Sequence, residues 1–208
     1  MYQKYVKRLL DIMLATCAMI ILAPVFVAIT IAIKLDDGGS VFFLGNRIGK
    51  DCKRFIMIKF RTMIENAPDI RNEDGSTYNA KDDPRVTKVG RILRETSLDQ
   101  LPQLINVIKG DMSLLGPRPS VWDALETYSP DEIDKMKVRP GISGYCQAYY
   151  RNSMSARDKR LMDAWYANNV TFWLDVKIFL KSITTVFRRE GLYTEPTPVL
   201  GRENHKSR

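Results

Sequence analysis

The sequence predicts an α+β chain, mostly helical, with a small β-hairpin and a membrane-active apolar helix at its N-terminus. Three observations predict it. Residues Ile12 to Ile33 run for 22 positions without a charge. Two short apolar stretches flank Gly49-Lys50-Asp51, as hairpin strands flank a turn. From Val86 onward, apolar residues recur at helical spacing between cap and turn signals. The 208 residues, 45% hydrophobic and 27% charged, suit one compact domain with an accessory segment and exclude a wholly disordered chain.

The apolar run, as a helix, is about 33 Å long, enough to reach across the hydrocarbon core of a bilayer. It is longer than a usual signal-peptide core, and no A-x-A cleavage pattern with a mature start follows it. Pro24, near its middle, removes one helical hydrogen bond and crowds the preceding turn. Both flanks are basic: Lys4, Lys7 and Arg8 precede the run, and Lys34, Arg47, Lys50, Lys53 and Arg54 follow it. The positive-inside tendency asks both ends to stay cytoplasmic, which a helix bent at Ala23-Pro24 would satisfy. Kinked spanning helices also occur, and the pattern alone balances the two evenly.

Val41 to Phe43 and Phe55 to Phe60 read as the hairpin strands. Residues 66–84 are polar and turn-rich and predict a short helix at most, then a mobile loop. Val86 to Glu95 predicts a short basic helix, and a second helix is expected from Ser97 to Gly110. Ser129-Pro130-Asp131-Glu132 combines a cap, a proline at the first position and a capping-box acid, so a helix to about Lys137 follows. Val138 to Gly141 reads as a turn, and Ser155 to Asn168 and Thr171 to Arg189 as helices. On the last of these, Trp173, Val176, Phe179, Leu180, Ile183 and Phe187 share helical spacing among basic residues. That face suits a membrane interface, although the spacing alone slightly favours a core-facing helix. The organisation expected is an anchor over 1–34, a catalytic or binding domain over 35–190 and a loose tail over 191–208.

Composition narrows the chemistry. Thirty-two Lys+Arg against 24 Asp+Glu leave a net charge of +8, which points to an anionic partner. Cys17, Cys52 and Cys146 are too scattered for a disulfide framework or a zinc site, and the lone His205 sits in the polar tail, which leaves Ser-His and Cys-His catalysis without support. No aromatic-basic platform for nucleic acid is evident. Between Arg85 and Arg118 lie six basic residues, Arg91 and Arg94 sharing one helix face. Within that window, Ser97 and Gln100 have capping-box spacing, which places Asp99 in a helical first turn where free N–H groups favour negative charge and phosphate. A carboxylate there can cap the helix, hold a metal or attack phosphorus; an isolated S-x-D-Q reads as the cap. Gly116-Pro117-Arg118-Pro119 is a rigid turn presenting a guanidinium suited to phosphate. Lys59 and Arg61 are expected on one strand face, and Asp158 and Asp163 as solvated salt-bridge partners.

Together these segments resemble the bacterial sugar transferase family, the monotopic polyprenyl-phosphate phosphoglycosyl transferases. The resemblance rests on Lys7 to Asp11 (KRLLD), the apolar run with its proline, Lys59 to Met63 (KFRTM), Ser97 to Pro119 (SLDQLPQLINVIKGDMSLLGPRP), Arg139 to Gly144 (RPGISG), Trp165-Tyr166 and Leu174 to Ile178 (LDVKI). It implies a re-entrant helix broken at Ala23-Pro24 with amphipathic interfacial helices. It also implies transfer of a sugar-1-phosphate from a UDP-sugar to undecaprenyl phosphate at the cytoplasmic face of the inner membrane, with release of UMP. A covalent intermediate on Asp99 is implied, with Mg2+ beside it. The family's glutamate after the aspartate is Gln100 here, which keeps a carbonyl oxygen for the metal but loses the charge. Its frequent Ser-Pro is Ala23-Pro24. Lys59, Arg94, Arg118 and Arg139 are the expected phosphate-binding residues, and Arg151 and Asn152 the expected nucleotide or sugar contacts. Expected partners are the UDP-sugar, undecaprenyl phosphate and membrane lipids, with homo-oligomerisation left open and no nucleic acid. A membrane-anchored nucleotide-sugar binder with impaired catalysis is the alternative that Gln100 leaves open.

Overall fold

The computed structural model describes residues 2–68, 70, 78, 80, 82–150 and 154–188, with backbone alone at 186–188. Most of the predicted loop over 66–84, Arg151, Asn152 and the tail lie outside the described residues.

The apolar run forms two helices, α1 (Lys7–Ile21) and α2 (Ala23–Asp37), bent by 62° at Leu22. Pro24 lies in the first turn of α2, where its missing N–H costs nothing within that helix, so the chain restarts there rather than continuing α1. No single helix is long and apolar enough to cross a membrane; the bent pair together has the length and composition. Helix α2 runs three residues past the expected anchor and stops at Gly38, whose left-handed φ of 73° favours glycine. Ala15, Ile29 and Ile33 face inward, whereas Ile20 and Ile21 at the bend are exposed.

The hairpin pairs β1 (Phe42–Ile48) with β2 (Arg54–Phe60) antiparallel, Phe43 opposite Lys59. β1 is longer than expected because Gly45 and Arg47 continue the ladder, so the first strand runs up to the Gly49 turn. Helices α3 (Lys88–Thr96) and α4 (Gln103–Lys109) follow, the first capped by Thr87 Oγ1, which accepts from Gly90 N–H at 2.9 Å. Strand β3 (Ser113–Leu115) pairs in parallel with β4 (Gly141–Ser143), in a segment expected to be only a turn. Three-residue strands carry too little periodicity to be seen in sequence. Between them, α5 (Pro130–Ile133) begins at the expected capping box, with Glu132 Oε2 accepting from Ser129 N–H at 2.9 Å. The short helix α6 (Tyr145–Tyr149) was not expected. Helices α7 (Ala156–Asn168) and α8 (Phe172–Arg188) were.

Buried polar bonds lock the N-terminus to this body. Lys7 Nζ lies 2.7 Å from Asp175 Oδ2 on α8, and Tyr2 and Tyr166 hydroxyls donate to the same carboxylate at 2.6 Å. Asp11 Oδ1 accepts from Leu114 N–H at 3.0 Å, and Arg8 Nη1 donates to Val107 O at 2.7 Å. The KRLLD segment thus fixes where α1 sits. On α8, Ile178 and Asp175 face the core, while Trp173, Phe179, Leu180 and Ile183 are exposed. The core-facing reading of that aromatic face is corrected: the buried stripe is the adjacent one, set by Asp175 and Ile178. Phe187's side chain lies outside the described residues.

Candidate active site

Asp99 sits where two helices fail to join. Helix α3 ends at Thr96, and Ser97 adopts a left-handed φ of 58° as its C-terminal cap. A single 3-10 turn, Leu98–Gln100, follows before α4 begins at Gln103. The expected capping box is therefore absent: Ser97's side chain makes no cap bond, because that residue closes α3 instead of opening α4 in the extended conformation a cap requires. The negative charge at Asp99 is met by side chains rather than by a helix terminus. Leu98 and Leu101, on either side, pack against Ile29 and Ile33 of α2, Phe60 of β2 and Leu93 of α3. The turn is thereby pinned to the bent helix pair and to the strand carrying Lys59.

Lys59 Nζ stands 3.8 Å from Asp99 Oδ2, with the two side chains 20% and 13% exposed. This is an ion pair without a tight hydrogen bond. Burial pushes the Lys59 ammonium down to about 8; Asp99 opposes that shift, and Arg118, Arg47 and Arg94 add to it by repulsion. Three arginines thus crowd the lysine that faces Asp99. Arg94 reaches the site from α3 and donates through Nε to Thr62 Oγ1 at 3.0 Å. Arg118 is carried in by its turn, which lies against the hairpin: Arg47 and Val121 form an antiparallel bridge, and Ile48 N–H donates to Ser120 O at 3.0 Å. Arg47 was read from sequence only as part of a basic flank. Nothing local marks it, because its place follows from that long-range bridge.

The KFRTM segment divides its labour residue by residue. Lys59 faces Asp99, Phe60 is buried, and Arg61 does not join the site. Its guanidinium is buried and forked onto Asp37 at the end of α2, with Nη1 to Asp37 Oδ2 at 2.6 Å and to Met63 O at 2.9 Å. Thr62 receives Arg94. Gly90 makes this possible: a Cβ there would lie 2.1 Å from Thr62 O, so α3 presses directly on the end of β2. Gly90→Ala is expected to cost about 1–3 kcal/mol of stability, as overpacking against backbone does, and to lower turnover by displacing Arg94. Thermal unfolding and activity of the purified variant check both.

Arg139 is not brought to Asp99. Its Nε donates to Gly110 O at 2.8 Å, where together with Arg8 it satisfies the carbonyl end of α4. Its Nε is thus committed to the end of α4, and no contact between Arg139 and Asp99 is seen among the described residues. The rest of RPGISG seats the Arg118 turn: a Cβ on Gly141 would meet Gly116 N at 2.1 Å, and one on Gly144 would meet Gly116 O at 2.0 Å. Asp158 is exposed as expected, but its Oδ2 accepts from Ser155 Oγ at 2.7 Å, and no ion pair to a basic residue is seen for it among the described residues. Asp163 is buried and ion-paired at 3.5 Å to Lys135, correcting its reading as a solvated partner.

A carboxylate facing a lysine that three arginines crowd, built on a helical body with a bent apolar helix pair, suits proteins that handle anionic phosphate esters. Comparison with known proteins identifies which. The chain belongs to the bacterial sugar transferase family, whose model matches residues 2–189. It is 39% identical to the exopolysaccharide production protein ExoY of Rhizobium meliloti over 198 residues, covering 90% of this chain and 88% of that one. It is 40% identical to the uncharacterized sugar transferase EpsL of Bacillus subtilis, covering 89% of each. Against the undecaprenyl-phosphate galactose phosphotransferase of Salmonella typhimurium it is 38% identical over 91% of this chain. The chain spans 42% of the length of that protein and of an uncharacterized sugar transferase of Haemophilus influenzae.

Proposed function

We propose that this chain transfers a sugar-1-phosphate from a UDP-sugar to undecaprenyl phosphate at the cytoplasmic face of the bacterial inner membrane, releasing UMP. The lipid-linked product would initiate capsule, exopolysaccharide or O-antigen assembly. The observation that carries this reading is Asp99, a nearly buried carboxylate 3.8 Å from Lys59 on a turn packed against α2. The names of the Salmonella and Rhizobium relatives support a polyprenyl-phosphate acceptor and a polysaccharide product.

Chemistry proceeds by two displacements at one phosphorus. A carboxylate oxygen of Asp99 attacks the sugar-bearing phosphorus; the bond to the UMP oxygen breaks, and UMP leaves with the electron pair. A phosphate oxygen of the polyprenyl acceptor then attacks the same phosphorus, and Asp99 departs as a free carboxylate. No net proton is needed. Lys59, Arg94, Arg118 and Arg47 supply fixed positive charge, which is how such reactions are accelerated. Among the described residues, no three His, Cys, Asp or Glu side chains group to hold a metal. Asp99 and the Gln100 carbonyl oxygen would therefore hold Mg2+ jointly with the donor's phosphates, a ligand set that ion accepts, and the ion would neutralise diphosphate charge.

The membrane placement draws on the exposed bend and on the exposed aromatic face of α8, which suit the lipid headgroup region where the acceptor's phosphate lies. Gln100 favours a second reading, a nucleotide-sugar binder with impaired catalysis. A panel of UDP-sugars with undecaprenyl phosphate, Mg2+ and solubilised protein separates the two. Donor alone is expected to release at most about one equivalent of UMP per enzyme, as Asp99 is loaded, and repeated turnover only when the acceptor is also present; tight donor binding without any UMP would establish the second reading.

A further inference from the structure

We propose that Lys135 and Asp163 form a buried positioning clamp that holds Arg118 ready for phosphate. The pair grips the backbone of Arg118 at both ends. Asp163 Oδ2 accepts from Arg118 N–H at 3.2 Å, and Lys135 Nζ donates to Arg118 O at 3.0 Å. Lys135 also donates to Ser120 Oγ at 3.3 Å, one residue past the turn. The two side chains are 4% and 3% exposed and 3.5 Å apart. They come from different elements, Lys135 from the 3-10 turn after α5 and Asp163 from α7.

The neighbouring backbone is equally committed. Gly116 N–H donates to Ser143 O and Gly141 N–H to Pro117 O, each at 2.9 Å. Pro117 and Pro119 restrict the dihedral angles on either side. What this leaves exposed is the Arg118 side chain, whose charge acts on Lys59. A buried ion pair contributes little stability over apolar residues of similar volume, so stability alone does not account for one here. Fixing an arginine fork in advance reduces the entropy lost when it closes on a phosphate.

The clamp rests on the phosphate-binding role given to Arg118, so the test reads binding separately from turnover. UDP is the probe, titrated calorimetrically into solubilised full-length protein. Arg118→Ala is expected to weaken UDP at least about tenfold, the worth of a charge-assisted hydrogen bond. Lys135→Met combined with Asp163→Leu, which leaves no unpaired buried charge, is expected to weaken UDP by a similar factor while still unfolding cooperatively. The triple variant should bind no worse than Arg118→Ala, because the clamp acts only through that residue.

Wild-type affinity in the double variant would overturn the proposal, as would a triple variant weakened further by the double variant's own factor. Should the double variant not fold, Lys135→Met alone makes the same reading. Burial already pushes the Asp163 carboxyl up, and loss of Lys135, which opposes that shift, favours its neutral form further. If wild type binds UDP yet releases no UMP from any UDP-sugar, the transferase reading falls while the clamp is still decided by binding. If wild type does not bind UDP, both fall.

Discussion

Asp99→Asn is expected to lower sugar-phosphate transfer by at least about 1000-fold, the scale on which losing a covalent nucleophile acts. Asparagine keeps the volume and one acceptor oxygen, and among the described residues the side chain it replaces makes one ion pair, of 3.8 Å to Lys59. The variant should therefore fold, with Leu98 and Leu101 still seated on α2. Wild type incubated with a radiolabelled UDP-sugar and no acceptor should retain label after denaturation, and peptide mapping should place it at Asp99. The variant should retain none. Turnover in Asp99→Asn at the wild-type rate would exclude Asp99 as the nucleophile.

Lys59 is expected to set the alkaline limit of activity. Its ammonium is pushed down to about 8, chiefly by burial, so above that pH the site loses the cation nearest Asp99. The pH profile of kcat/KM reports free-enzyme groups and should fall above about 8. Lys59→Met should lower kcat/KM by about 100-fold, as loss of one preorganised charge donor does. Lys59→Arg should move the alkaline limb upward, because arginine stays charged. A limb unmoved by Lys59→Arg would assign it to another group. Stability follows with a definite sign. Folded Lys59 titrates near 8 and unfolded lysine near 10.5, so between those values the unfolded chain holds more protons. The burial penalty on this charge is complete below pH 8, and stability contributed at this position rises as pH climbs through the window. Urea unfolding of wild type and Lys59→Met from pH 7 to 10.5 isolates that slope.

Several features were legible from local chemistry. The break at Ala23-Pro24 was, because a proline lacks the N–H that an uninterrupted helix needs. So were the helices expected from Val86, Ser129 and Ser155, which open at Thr87, Ser129 and Ser155, although only the Ser129 capping box was named from sequence. Asp99, Lys59, Arg94 and Arg118 were singled out by the density of charge around them and by resemblance, and the structure brings all four together. Where sequence reading failed, a distant partner decided. Ser97 and Gln100 have the spacing of a capping box, yet Ser97 closes α3 in the left-handed conformation while Leu98 and Leu101 pack on α2. Arg139 resembles Arg118 in its Pro-Gly surroundings, yet the open carbonyls of α4 claim it.

By itself, the sequence determined which residue types are available and where the chain must bend, cap or stop. Those outcomes depend on backbone geometry and on neighbours a few residues away. Only the tertiary structure decided which cations gather around Lys59, that Arg47 is among them, and that Asp163 and Lys135 are buried beneath Arg118. These placements depend on pairings across tens of residues, the Arg47–Val121 bridge and the parallel β3–β4 ladder. A charge carries the same letter in solvent and in the core; what separates the two is the chain that folds over it.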